Sequence, residues 1–141
     1  MKKKFILLIL GIFIVSSLVS CKKNQPEPEP TVKELLTGSM WNLYLLERHE
    51  TSTGNVSAVL AMDKDYEFTM NDYYYIYDNT GQVVEYGSYE LKEDIDPMTI
   101  SLLPRNGNPV TYSVAKFDES EMEFKEDHGS YYVIYKFNKI N

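Results

Sequence analysis

The sequence predicts an all-β fold: an antiparallel meander, closed into a small up-and-down barrel of about eight strands, behind one short N-terminal helix. Three observations carry that expectation. From Trp41 onward apolar and polar residues alternate with a period of two, the pattern of strands with one buried face. Clusters of Gly, Pro, Asn and Asp interrupt the alternation at short intervals, with no helical periodicity between them. An open sheet this rich in aromatics would present unpaired edges to other chains, and closure removes those edges.

Residues 1–20 read as an address. Lys2, Lys3 and Lys4 form a positive start, and Phe5 to Val15 an apolar run that is short of the ~20 residues a membrane span needs. Leu18-Val19-Ser20-Cys21 resembles the lipobox of bacterial lipoproteins. The resemblance implies cleavage before Cys21, diacylation of its thiol and acylation of the new amino terminus. Stable anchoring takes more than one chain, each buried methylene contributing ~0.8 kcal/mol. Cys21 is the single cysteine, which excludes an intramolecular disulfide, and acylation withdraws it from nucleophilic, redox or metal chemistry. By resemblance to known sorting signals, Lys22 in place of an aspartate favours the outer membrane of a bacterial cell envelope, leaving periplasmic and cell-surface exposure open.

Charge excludes one class of partner. The chain carries a formal −7, and removal of the three leader lysines makes it more acidic still. Only Arg48 and Arg105 supply guanidinium groups, so clustered phosphate neutralisation is missing and nucleic acid is not an expected partner. Residues 21–30 form the acylated cysteine and a spacer in which Pro26, Glu27, Pro28, Glu29 and Pro30 alternate. Such a segment favours extended polyproline II at ~3 Å per residue and cannot bury apolar surface.

The folded domain is expected over residues 31–141. Thr31 and Glu34 have capping-box spacing, Val32, Leu35 and Leu36 give one apolar side, and Gly38 is placed to end the turn. The predicted strands begin at Trp41, followed by a loop over Thr51 to Asn55. They continue through Val56 to Met62, Tyr66 to Met70, Tyr73 to Tyr77, Gln82 to Lys92 and Met98 to Leu103, then Val110 to Phe117, Glu121 to Lys125 and Tyr131 to Phe137. Hairpin chemistry separates them: Asp78-Asn79-Thr80-Gly81, Asp94 to Pro97, Asn106-Gly107 within Pro104 to Pro109, and Asp127-His128-Gly129.

Leu35-Leu36-Thr37-Gly38-Ser39-Met40-Trp41-Asn42-Leu43 resembles the opening of the lipocalin-like domains found in lipoproteins of Bacteroides-type bacteria. Similar stretches follow in order: Tyr66-Glu67-Phe68, Tyr86 to Leu91, Met98 to Leu102, Thr111 to Phe117 and Glu121 to Phe124. The resemblance spans Leu35 to Phe137 and implies a lipocalin-like barrel. Two positions depart from the true lipocalin pattern. Ser39 and Met40 both separate the glycine from the tryptophan, and the final strand offers Lys136 where an arginine would cover the indole. A barrel this small is either filled by its own side chains or holds one small ligand.

The twelve tyrosines are the most unusual feature, with four of them between Tyr73 and Tyr77. One reading is cross-strand aromatic pairs that stabilise a half-buried sheet. The other is a platform or pocket mouth, apolar at the ring and wet at the hydroxyl. The candidate ligand-binding residues are Trp41, Tyr66, Phe68, Tyr75, Tyr89 and Tyr112.

Catalytic patterns are missing. His49 and His128 lack metal-ligand spacing, and no nucleophile elbow, P-loop or dinucleotide glycine pattern occurs. The carboxylates fall mainly in predicted turns, where solvation explains them. No catalytic residue, metal or cofactor is expected. The expected function is membrane-anchored, non-catalytic binding of a small apolar or carbohydrate-like ligand. The alternative is a structural or protein-interaction module of the envelope with a filled barrel; the sequence names no protein partner.

Overall fold

The computed structural model describes residues 28–140, the side chains of 60–62 excepted. The leader, Cys21 and all of the spacer before Pro28 lie outside the described residues. The first element is a helix, α1 (Val32–Thr37), built as its sequence implies. The Thr31 hydroxyl accepts from the Glu34 amide at 3.2 Å, and the Glu34 carboxylate accepts from the Thr31 amide at 2.8 Å. Two orphan donors are thereby satisfied at the helix start.

Eight strands follow: β1 (Met40–Glu50), β2 (Val56–Phe68), β3 (Tyr73–Tyr77), β4 (Val83–Lys92), β5 (Thr99–Pro104), β6 (Val110–Phe117), β7 (Glu121–Asp127) and β8 (Tyr131–Ile140). Each pairs antiparallel with the next, and β8 returns to pair with β1 from Met40↔Ile140 to Glu50↔Tyr131, closing the barrel. Fold class, strand count and the short leading helix agree with the sequence expectation.

One expected break is absent. Val56 to Met62 and Tyr66 to Met70 are a single strand ending at Phe68, because Lys64 and Asp65 stay in the ladder while Asp63 falls in the register shift beside them. The charges are accommodated by parity and by an irregularity. Asp65 lies opposite Asn42, whose amide donates to it at 2.7 Å, while Lys64 lies opposite the buried Leu43 on the inner face. Register slips between Leu43 and Leu45, so Tyr44 turns to solvent and Leu46 returns to the interior.

The core fills the half of the barrel nearest α1. Trp41, Phe68, Tyr74, Ile100, Met122 and Phe137 are fully or almost fully buried, together with Leu36 from the helix. The indole N–H of Trp41 donates to the Leu36 carbonyl at 3.0 Å, and its ring meets Phe117 at 5.6 Å. Through that bond the helix covers the tryptophan at this end. Lys136 instead faces outward and pairs with Glu47 at 2.9 Å.

Gly87, on the inner face of β4, permits a close approach of β5. A Cβ there would lie 2.1 Å from the Leu103 carbonyl oxygen and 2.8 Å from Pro104 Cα, both immobile backbone atoms. Gly87→Ala is expected to lower unfolding free energy by ~1–3 kcal/mol or more, the cost of overpacking, whereas Ser88→Ala on the outer face should stay within ~0.5 kcal/mol of wild type. Urea denaturation of the two variants checks this, and equal midpoints would contradict the close approach.

Candidate functional site

The strand ends divide the barrel into a capped end and an open end. Around α1 gather the starts of β1, β3, β5 and β7 and the ends of β2, β4, β6 and β8. Loops 51–55, 78–82, 105–109 and 128–130 ring the opposite end. A cavity of about 310 Å³ opens there, walled by Lys64, Tyr66, Tyr74, Ile76, Glu85 and Tyr112. Asn106 and Asn108 of the β5–β6 loop form part of its rim, with Gly107 between them at φ 134°.

The geometry follows from strand parity. On β2, Lys64 and Tyr66 are two residues apart and share the inner face with Phe68; on β3, Tyr74 and Ile76 do the same. Glu85 faces Ile76 across the β3–β4 ladder. Rings point their bodies at the core and their hydroxyls at the mouth: Tyr66 meets Phe137 edge-on at 5.0 Å, and Tyr112 lies against Phe124 at 5.7 Å and Tyr135 at 5.2 Å. The Tyr74 hydroxyl donates to Glu85 at 2.7 Å and that of Tyr135 to Glu126 at 2.6 Å. These inner carboxylates therefore already hold a donor each.

This ring of phenols resists ionisation. Burial, then the Glu126 and Glu85 charges, push Tyr112 up to about 12. Burial raises Tyr66 as well, with Tyr112 and Glu85 adding to it, and burial with the Glu85 hydrogen bond raises Tyr74. Tyr135 is raised by burial and by its bond to Glu126. The hydroxyls thus stay protonated donors at neutral pH, suited to binding and unsuited to acting as bases.

The six sequence candidates separate into three groups. Tyr66 and Tyr112 stand together in the mouth. Trp41, Phe68 and Tyr89 belong to the packed half, Phe68 meeting Tyr89 edge-on at 5.3 Å. Tyr75 stands on the outer wall, stacked on Tyr86 at 6.3 Å. Sequence reasoning missed Lys64, Tyr74 and Glu85. Parity with Tyr66 was a usable signal for Lys64, whereas the unbroken run Tyr73-Tyr74-Tyr75 conceals which ring turns inward.

Other features carry less. A hollow of about 760 Å³ lies against Pro28 to Thr31 and Glu34, all from one short segment where the chain enters the domain. His49 stacks on Tyr132 at 4.7 Å on the outer wall, and His128 stacks on Tyr131 at 4.6 Å beside Glu126. Among the described residues, no group of three or more His, Asp or Glu side chains converges as a metal site.

The raised phenols fix a pH dependence. In the folded state they keep protons that the unfolded chain releases near pH 10, so their contribution is fully present below pH 10 and lost as pH climbs toward 12. Stability should accordingly fall above pH 10, and ultraviolet titration should show the inner phenols ionising only with unfolding. Simultaneous ionisation of all twelve tyrosines in the native protein would contradict it. No protein-family model matches the chain, and a search of curated proteins finds no match.

Proposed function

We propose that this protein is a lipid-anchored, non-catalytic binding module of the bacterial cell envelope, lipocalin-like in kind, whose barrel mouth holds a small carbohydrate-like ligand. The observation that carries the reading is the mouth itself. Three tyrosines, two side-chain amides, a lysine and a carboxylate line one cavity of about 310 Å³. Ligand sites run from ~300 to 1,000 Å³, so this one suits a single ring rather than a chain of them. Aromatic faces with polar edges match a sugar, which has C–H faces and a hydroxyl rim.

The packed half favours one of the two ligand classes expected from the sequence. Leu43, Phe68, Phe124 and Phe137 fill the space that a long apolar ligand would occupy. Opening a hole there means forfeiting ~1.5–3 kcal/mol for each large side chain displaced. A hydroxyl-rich ligand at the mouth requires none of this.

The anchor rests on the lipobox resemblance at Leu18 to Cys21. The alternative, a protein-interaction module, is supported by one separate observation. Tyr73, Val84, Tyr86 and Leu103 leave large apolar surfaces exposed on the outer wall of β3, β4 and β5.

Titration of the full chain in detergent with monosaccharides, followed by tyrosine ring resonances, tests the binding reading. Signals of Tyr66 and Tyr112 should move, while the indole of Trp41, buried at the far end, stays still. Tyr112→Phe should weaken binding ~3- to 10-fold, one hydrogen bond's worth, with folding stability nearly unchanged. Shifts confined to Tyr73 and Tyr86 on adding envelope proteins, with no response to sugars, would favour the alternative.

A further inference from the structure

Lys64 is placed unlike the other lysines. Lys33, Lys92, Lys116 and Lys136 each hold a carboxylate within ion-pair distance, Lys125 lies over the Tyr132 ring, and Lys139 is exposed to solvent near the end of β8. Lys64 is half-buried on the inner face of β2, lines the mouth cavity, and makes no ion pair among the described residues. Nearby carboxylates accept from neutral donors through one oxygen each. Glu85 accepts the Tyr74 hydroxyl at 2.7 Å. Asp78, on the solvent side of Lys64, accepts from the Thr80 amide at 2.8 Å, the Thr80 hydroxyl at 2.6 Å and the Gln82 amide at 3.0 Å. Those bonds within its own turn hold the Asp78 carboxyl below its ordinary range. Asp63 beside it is exposed.

We propose that the mouth selects a sugar acid: one hydroxyl-rich ring carrying a carboxylate, which sits on the Lys64 ammonium while the ring meets the phenols and the Asn106 and Asn108 amides. This inference rests on the carbohydrate reading above and specifies it. A half-desolvated ammonium without a partner recovers its lost hydration when a carboxylate enters, and charge-assisted hydrogen bonds are about twice as strong as neutral ones. Glu85 keeps its negative charge while accepting from the neutral Tyr74 phenol, so the ligand carboxylate is confined to the Lys64 side of the mouth. The acidic surface opposes an anion only weakly, because the screening length at physiological salt is ~8 Å and most of those charges lie on outward turns. A contact at hydrogen-bond distance escapes that screening.

The test compares sodium glucuronate with glucose, titrated into the full chain in detergent at low salt by calorimetry. Glucuronate is expected to bind about tenfold tighter. Lys64→Met should bring the ratio close to one with the thermal midpoint unchanged, and Lys64→Arg should keep the preference. Equal affinity for the two sugars in the wild type, or a preference that survives Lys64→Met, overturns this proposal alone. A chain that binds neither sugar overturns the carbohydrate reading and this inference with it.

Discussion

The pairing of β8 with β1 is the constraint on which everything else depends. It joins strands about 90 residues apart along the chain, so loop-closure entropy makes it ~3 kcal/mol more costly than a tight hairpin. A ladder running the full length of β1 offsets that cost. It also removes both edges of a sheet whose outer wall carries exposed tyrosines and valines, which would otherwise be open to pairing with other chains. Closure has a geometric consequence too. Eight short strands enclose a cylinder just wide enough for side chains to meet across it. The interior can be packed or hollow at a given level, and this chain does one at each end.

Sequence decides which end does which. At the α1 end the inner positions are Trp41, Leu43, Phe68, Ile100, Met122 and Phe137, and the helix adds Leu36 as a plug. The indole hydrogen bond to the Leu36 carbonyl fixes that plug while satisfying the one polar atom of the tryptophan. Toward the other end the inner positions become Lys64, Tyr66, Glu85, Tyr112 and Glu126, which cannot pack against each other without water or partners. Tyrosine occupies the boundary because one side chain serves both environments. Its ring extends the core and its hydroxyl begins the polar layer. Burial of those rings also sets their raised pKa values, so the same placement that stabilises the fold keeps the mouth lined with donors.

Much of the fold was legible because its causes are local. Period-two alternation, Asn106-Gly107, Asp78 to Gly81 and the Thr31–Glu34 capping box act within a few residues, and the structure forms strands, turns and helix at those places. Asp63-Lys64-Asp65 was misleading for the same reason. Three charges in a row look like a loop, yet the strand continues because Asn42 of β1 receives Asp65 and Lys64 pairs with Leu43 on the inner face. The mouth was harder to read, since its walls come from β2, β3, β4, β5 and β6 and register between strands is a property of the closed barrel. In Tyr73-Tyr74-Tyr75 both parities are tyrosine, so alternation carries no information about the inward ring. Only the ladder to Glu85 and Gly87 shows that Tyr74 turns in and Tyr75 out.

Direction along the barrel links the fold to its setting. The chain enters at the capped end, where Pro30 and Thr31 lead into α1, and the mouth lies a strand's length away. Under the proposed acylation of Cys21, the tether would reach the domain at the capped end and leave the mouth at the far pole, among solutes and not among acyl chains. A carrier that takes its ligand from the membrane would need the opposite polarity, with the anchor beside the opening and apolar walls behind it. The packed half and the entry point of the chain are independent features, one fixed by core composition and the other by topology. Both favour a water-borne, hydroxyl-rich ligand.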